Sequence, residues 1–344
     1  MLKYLFRGII LLVLVLAGAA YAYQDRITRL LAVNSLFAPD RIVDNFSSMP
    51  ELFFSTPLPR GDGPVSELPV GAPLPLPAGY DAWVEDRAVT AVVMLKDGEI
   101  VLEDYFQDTG ADDLRISWSV AKSYLSTLIG TAVDRGEIGD LDAPVTDHAP
   151  SLRSTAYDGA SIRDVLQMSS GVVFDEDYFD FWSDINRMGR VLAFGRSMDG
   201  FAESLEETYI APGTEFQYVS IDTHVLGMVL RGATGESVVD LIQSRLIWPL
   251  GLEADGAYVT DGDGVAFVLG GLNFTTRDYA RFGQMVLQGG AWEGERILSE
   301  AWLNEATRAS ANTAPGDLQY GYQWWIPSDA DPEDPLHEFL GLGV

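Results

Sequence analysis

The stretch Ser117-Trp118-Ser119-Val120-Ala121-Lys122-Ser123 opens an apolar run that continues to Val133 and stops short of Gly136. The run predicts a buried helix from Ser117 to Val133, and a spacing of three puts Ser119 and Lys122 on one helical face. A serine in the first turn feels the positive end of the helix dipole, which favours its alkoxide and the oxyanion it generates. A lysine among apolar neighbours loses pKa and can take the hydroxyl proton near neutral pH. Ser-x-x-Lys by itself is common, and a capping serine beside a surface lysine has the same spelling. The context singles this one out: Lys122 sits between Ala121 and the apolar Tyr124-Leu125. Lysine occurs otherwise only at Lys3 and Lys96, so nearly all of the 22 basic residues are arginine. A lone lysine inside an apolar helix points to a site that needs a deprotonatable amine, which arginine cannot provide.

Upstream of the helix, Val89–Leu95 and Glu99–Tyr105 are β-rich runs around the turn Lys96-Asp97-Gly98, which predicts a hairpin. Residues 37–79 carry nine prolines, among them Pro39, Pro50, Pro57, Pro69 and Pro77. That density predicts a linker or extended strap across residues 24–79. The first 23 residues form a targeting segment: Lys3 and Arg7 precede an apolar run from Gly8 to Ala22, and Ala20-Tyr21-Ala22 has the form of a cleavage site. A cleaved signal peptide and a single-pass anchor both fit; either places the protein in the periplasm or otherwise outside the cytoplasm, and the anchor would hold it on the inner membrane.

Downstream, helices dominate from about Ile162 to Leu250, with the Pro-Gly loop Thr208–Ser220 leading into a helix at Thr223–Arg231. Val265–Leu272 is short and glycine-rich, Asp278–Leu287 is an amphipathic helix closed by Gly289-Gly290, and Tyr320–Ile326 reads as an aromatic strand. Sheet at both ends with helices between predicts a mixed α/β fold, an antiparallel sheet flanked by helices with an inserted all-helical lobe.

Composition removes several chemistries. The 344 residues hold no cysteine, so thiol catalysis, disulfides and cysteine-bound zinc are out, and the three histidines (His148, His224, His337) form no close pair. A net charge of −29 argues against a nucleic-acid partner, whose phosphates such a surface repels. No cofactor is called for; the expected partner is a small ester or amide substrate.

The second chemical signal is Phe216-Gln217-Tyr218-Val219-Ser220-Ile221-Asp222-Thr223. A tyrosine between a Pro-Gly turn and a helix sits where functional groups concentrate, and a phenol beside a lysine can relay the serine proton to a leaving group. With this in place, the chain resembles the serine β-lactamase and penicillin-recognising superfamily. The Ser117–Ser123 run is similar to the nucleophile motif of class C β-lactamases and 6-aminohexanoate-dimer hydrolases. So, in the same order, are Leu166–Gly171, Asp175–Tyr178, Gly213–Leu226, Trp248–Gly251 and Arg277–Gly283. The resemblance runs from about Ala88 to the end, predicts a hydrolase domain over residues 80–344, and lies nearest the dimer-hydrolase and esterase branch.

Residue by residue, the resemblance implies that Ser119 is acylated, Lys122 supports it, and Tyr218 is general acid/base. Tyr178 matches a substrate-contacting tyrosine of the dimer hydrolases. Ser220 and Asp222 are the other two implied substrate-binding positions: Ser220 stands where class C enzymes have the asparagine of Tyr-x-Asn, and Asp222 where the dimer hydrolases have a nearby asparagine; both departures count against efficient β-lactam turnover. One oxyanion donor would be the Ser119 backbone N–H, the other a late strand. The implied activity is cleavage of an ester or amide through an acyl-enzyme; the alternatives are a D-peptidase or penicillin-binding protein acting on cell wall, or a sensor of this fold without turnover. The chain finishes on Phe339–Val344 after a Pro/Asp-rich loop from Pro327 to Pro335, which resembles the glycine-rich opening of a further strand, so a longer product is expected.

Overall fold

The computed structural model describes residues 2–314, 316, 318–327 and 340–341, without the side chains of residues 2, 12, 16, 17, 19 and 20. Helices α1 (Leu2–Ala22), α2 (Gln24–Asn34), α3 (Ile42–Ser47) and α4 (Met49–Leu52) precede strand β1 (Ser55–Leu58). Helix α5 (Tyr80–Asp86), the hairpin β2 (Ala91–Lys96) and β3 (Glu99–Tyr105), and β4 (Arg115–Ile116) follow. The central helices are α6 (Val120–Asp134), α7 (Ile162–Leu166), α8 (Asp184–Ala193), α9 (Met198–Glu203), α10 (Ser220–Thr234), α11 (Val238–Ile242) and α12 (Trp248–Leu250). Then come β5 (Gly256–Val259), β6 (Leu272–Phe274), α13 (Thr276–Leu287), β7 (Ala291–Trp292), β8 (Glu295–Arg296), α14 (Glu300–Ala306), β9 (Leu318–Tyr320) and β10 (Trp325–Pro327).

A four-stranded antiparallel sheet in the order β1-β5-β6-β4 joins distant parts of the chain, and the helices α6–α12 are inserted between β4 and β5. This is the mixed α/β architecture with an inserted helical lobe that the sequence predicts. Helices α6 and α10 pack side by side at its centre, with Leu125, Leu128 and Ile129 of one and Ile221, Val225 and Val229 of the other almost without solvent exposure. Burying such side chains drives the assembly, each stabilising it by roughly 1.5–3 kcal/mol. Gly130 costs α6 some helix propensity, but a Cβ there would lie 2.4 Å from the Trp302 ring of α14, so glycine alone permits that approach.

The β2–β3 hairpin forms around Asp97 and Gly98, both with positive φ, as the turn signal requires. Two expectations need correction. Residues 24–79 are not an extended strap throughout: 24–52 are mostly helical and β1 is a sheet strand. The prolines allow this because Pro50 occupies the first turn of α4, where no amide hydrogen is needed, and Pro57 lies on an edge strand. Residues 59–79 do run without helix, pinned where the Ser66 backbone N–H donates to Gly251 O and Arg281 Nε donates to Ser66 O. Tyr320–Ile326, in turn, is two strands. β9 pairs antiparallel with β10 around Gly321–Trp324, with Gln323 at φ 64°, a turn that the aromatic pattern hides. Leu340 then bridges Trp325 in antiparallel sense, while most of the Pro327–Pro335 loop and Leu342–Val344 lie outside the described residues.

At the N-terminus, α1 is followed directly by α2, which packs on α8, and Arg29 of α2 donates to the carbonyl of Ala193 at the α8 C-terminus, where the helix dipole favours a cation. Counting only residues whose side chains are described, no helix is long and apolar enough to cross a membrane; α1 contains the six undescribed side chains noted above.

Candidate active site

Strand β4 delivers the nucleophile segment. The Ser117 N–H donates to Leu272 O at the start of β6, and Trp118 then takes φ 41°, a left-handed conformation that a bulky side chain adopts only under tertiary constraint. The constraint is visible: the Trp118 ring stacks on Phe37 at 5.4 Å and meets Phe46 edge-on at 5.4 Å. This bend leaves Ser119 at the N-cap of α6 with its side chain capping nothing. Its Oγ instead meets two other groups. Lys122 Nζ donates to it at 2.9 Å and the Tyr218 hydroxyl at 3.0 Å.

Lys122 is almost completely buried. Its Nζ also donates to Leu269 O at 3.0 Å, from the glycine-rich segment before β6, and no ion pair joins it among the described residues. Desolvation pulls its pKa from the ordinary amine range down to about 7, partly opposed by the negative charge of Glu176. Near neutral pH this amine exists in both forms and can accept a proton. Tyr218 comes in from the loop before α10, its ring stacked on Trp325 at 5.5 Å and its face 5.3 Å from Lys122 Nζ. Burial pushes its pKa up to about 12, so it holds its proton and acts first as a donor.

Of the other expected site residues, Ser220 and Tyr178 line a cavity of about 480 Å³ next to Ser119. Tyr178 stands half exposed at its mouth beside the fully exposed Phe179. Asp222 does not reach the cavity, which corrects the expectation of a substrate contact. Within the first turn of α10 the helix has rotated it inward, where it is wholly buried and accepts from Tyr157 at 2.7 Å and Ser170 at 2.9 Å. Desolvation raises its pKa to about 7.

Glu176 is the residue that motif reading passed over, although it sits inside the Asp175–Tyr178 stretch. Its carboxylate accepts the Ser220 backbone N–H, and it is buried enough for desolvation to raise its pKa. Its charge acts on Lys122 and on Tyr218. The sequence signal is a carboxylate two residues before Tyr178, indistinguishable on paper from the solvated acids around it.

Residues 81–336, most of the chain, match the family model described as beta-lactamase. The chain belongs to the β-lactamase family. Within this family it is 31% identical over 256 residues to the 6-aminohexanoate-dimer hydrolase of Paenarthrobacter ureafaciens, covering 70% of this chain and 65% of that one. It is 30% identical over 220 residues to penicillin-binding protein 4 of Amycolatopsis lactamdurans, covering 55% of each. The chain therefore spans less than two thirds of the length of either relative. Among solved structures, a Bacillus anthracis protein provisionally named a 6-aminohexanoate-dimer hydrolase superposes with a TM-score of 0.76 over 90% of this chain and 84% of its own, at 21% identity, a likeness of fold. Ser119, Lys122 and Tyr218 lie within the matched β-lactamase region, and their convergence on one oxygen is the arrangement in this chain that can carry acyl transfer.

Proposed function

We propose that this protein is an exported serine hydrolase that cleaves an ester or amide bond through an acyl-enzyme on Ser119. The observation that carries the reading is the double approach to the Ser119 hydroxyl, by a buried amine whose pKa is near 7 and by a phenol that keeps its proton. Neutral Lys122 takes the hydroxyl proton as Oγ attacks the carbonyl carbon. Tyr218, in contact with the same oxygen, hands a proton to the departing alkoxide or amine and is reprotonated from Lys122. In deacylation water bonds the acyl carbon as it gives up a proton to the same pair, and the pair returns a proton to Ser119 Oγ as the Ser119–acyl bond breaks and the acid leaves. General acid/base groups so placed contribute roughly 10²–10⁴-fold. The Ser119 N–H, at the positive end of α6, is the proposed donor to the oxyanion. Similarity to a hydrolase of the dimer of 6-aminohexanoate favours an amide or ester over other acyl compounds.

Export rests on the basic start and apolar run of residues 1–22. The mass of the mature N-terminus distinguishes a chain that starts at Tyr23 from one anchored through an intact Met1; a cytoplasmic protein with Met1 intact contradicts both. For the activity, p-nitrophenyl esters, linear amides and a chromogenic cephalosporin are offered to the protein and to Ser119→Ala. Hydrolysis of an ester or amide by the parent alone supports the reading, and equal rates in both refute it.

A further inference from the structure

The cavity beside Ser119 has a one-sided chemistry. Much of its wall is apolar: Val33 of α2 and Leu36 just beyond it, Met49 of α4, Met188 and Leu192 of α8, and Phe267. Among the described residues that line it there is no carboxylate and no guanidinium, and the one ionisable cation is Lys122 itself. Asn186 also faces it, and the donor side of its amide is engaged: Nδ2 donates to the carbonyls of Tyr178 at 3.0 Å and Asp180 at 2.8 Å, tying down the aromatic loop at the mouth. Glu176 is not among the lining residues. At about 480 Å³ the space is of the size that holds a small organic group.

We propose that this cavity is the acyl pocket and that it takes an uncharged, apolar acyl chain, with α2 and α4 of the N-terminal segment forming part of its wall. The proposal rests on the hydrolase reading above and adds the substrate class to it. An apolar chain entering the cavity leaves water and meets mostly apolar side chains, and each methylene buried strengthens binding in the transition state by roughly fourfold. A chain ending in an ammonium meets no carboxylate among the lining residues, and one ending in a carboxylate meets no cation but the catalytic Lys122, so either end is desolvated without an ion-pair partner of its own. The dimer of 6-aminohexanoate carries one such end on each side, so this chain is expected to differ in substrate from the relative it matches.

The test is a series of p-nitrophenyl esters from acetate to decanoate on the full chain, with p-nitrophenyl 6-aminohexanoate set against the hexanoate. We expect kcat/KM to climb roughly fourfold per methylene until the pocket is full, and the 6-amino ester to fall on the order of a hundredfold or more below the hexanoate. A flat series, or equal rates for the charged and uncharged six-carbon esters, overturns the acyl pocket. Gly189 of α8 provides a steric test: a Cβ there meets only Val33 Cγ1, at 4.0 Å, and a helix interior welcomes a side chain. Gly189→Leu should move the optimum to shorter acyl groups and lower the decanoate-to-butyrate ratio of kcat/KM at least tenfold; an unaltered chain-length profile counts against the proposal. Labelling of Ser119 by a small fluorophosphonate separates the two levels. A labelled protein without chain preference refutes the pocket alone, whereas a protein neither labelled nor active on any ester refutes the hydrolase reading and the pocket with it.

Discussion

Lys122 Nζ lies 2.9 Å from Ser119 Oγ on the same face of α6, buried, with a backbone carbonyl rather than a carboxylate as its other partner. A carboxylate in that place would hold the amine protonated and end its use as a base.

The pH profile follows from this. The neutral amine is the active form and its pKa is about 7, so acylation should rise with pH through about 7 and then level off. Lys122→Arg should be nearly as damaging as Lys122→Ala, because a guanidinium stays protonated. Initial rates from pH 5 to 9 on the three proteins are the check; an arginine variant close to the parent would reduce the role of Lys122 to electrostatics.

Tyr218→Phe should keep the fold, since the ring still stacks on Trp325, and should lower turnover by roughly 10²–10⁴-fold. Steady-state kinetics beside a thermal melt decide it. A variant within a factor of a few of the parent makes Tyr218 a packing residue.

Glu176→Gln removes a negative charge that holds the Lys122 pKa up, while its amide oxygen can still accept the Ser220 N–H. The ascending limb of the pH profile should therefore move to lower pH, with substrate KM little changed. A limb that stays in place, or moves up, would show that Glu176 does not act on Lys122.

Asp222 makes a prediction about stability. Its folded pKa is about 7 and its ordinary value 3.8, so its contribution is fully present below the ordinary value and is lost as pH rises through about 7. Asp222→Asn is uncharged throughout and keeps an oxygen to accept from Tyr157 and Ser170. Its stability relative to the parent should therefore increase between pH 5 and pH 8, by on the order of 2 kcal/mol. Denaturant melts at both values measure it; a pH-independent difference would mean that Asp222 is ionised in the fold throughout that range.

What the sequence declares most clearly is chemistry fixed by local spacing. Ser119 and Lys122 are brought together by helical geometry alone, and the β2–β3 hairpin by its Asp97-Gly98 turn. The place of Tyr218 needed the family motif, because its meeting with Ser119 spans 99 positions and depends on how α10 packs on α6. Proline density misled for residues 24–52, where Pro50 sits at a helix start and Pro57 on an edge strand. Asp222 was misjudged because a residue near a motif is carried to the far side of a helix within one turn. The cavity wall was invisible, since Leu36, Met49, Met188 and Phe267 meet only in three dimensions and each alone reads as core.

The most direct measurement is mass-spectrometric mapping of a fluorophosphonate adduct on the intact chain. The account predicts one adduct, on the peptide bearing Ser119, formed faster above pH 7 than below it and absent from a Ser119→Ala protein that melts as cooperatively as its parent. An adduct on another residue, or undiminished labelling of Ser119→Ala, would contradict it.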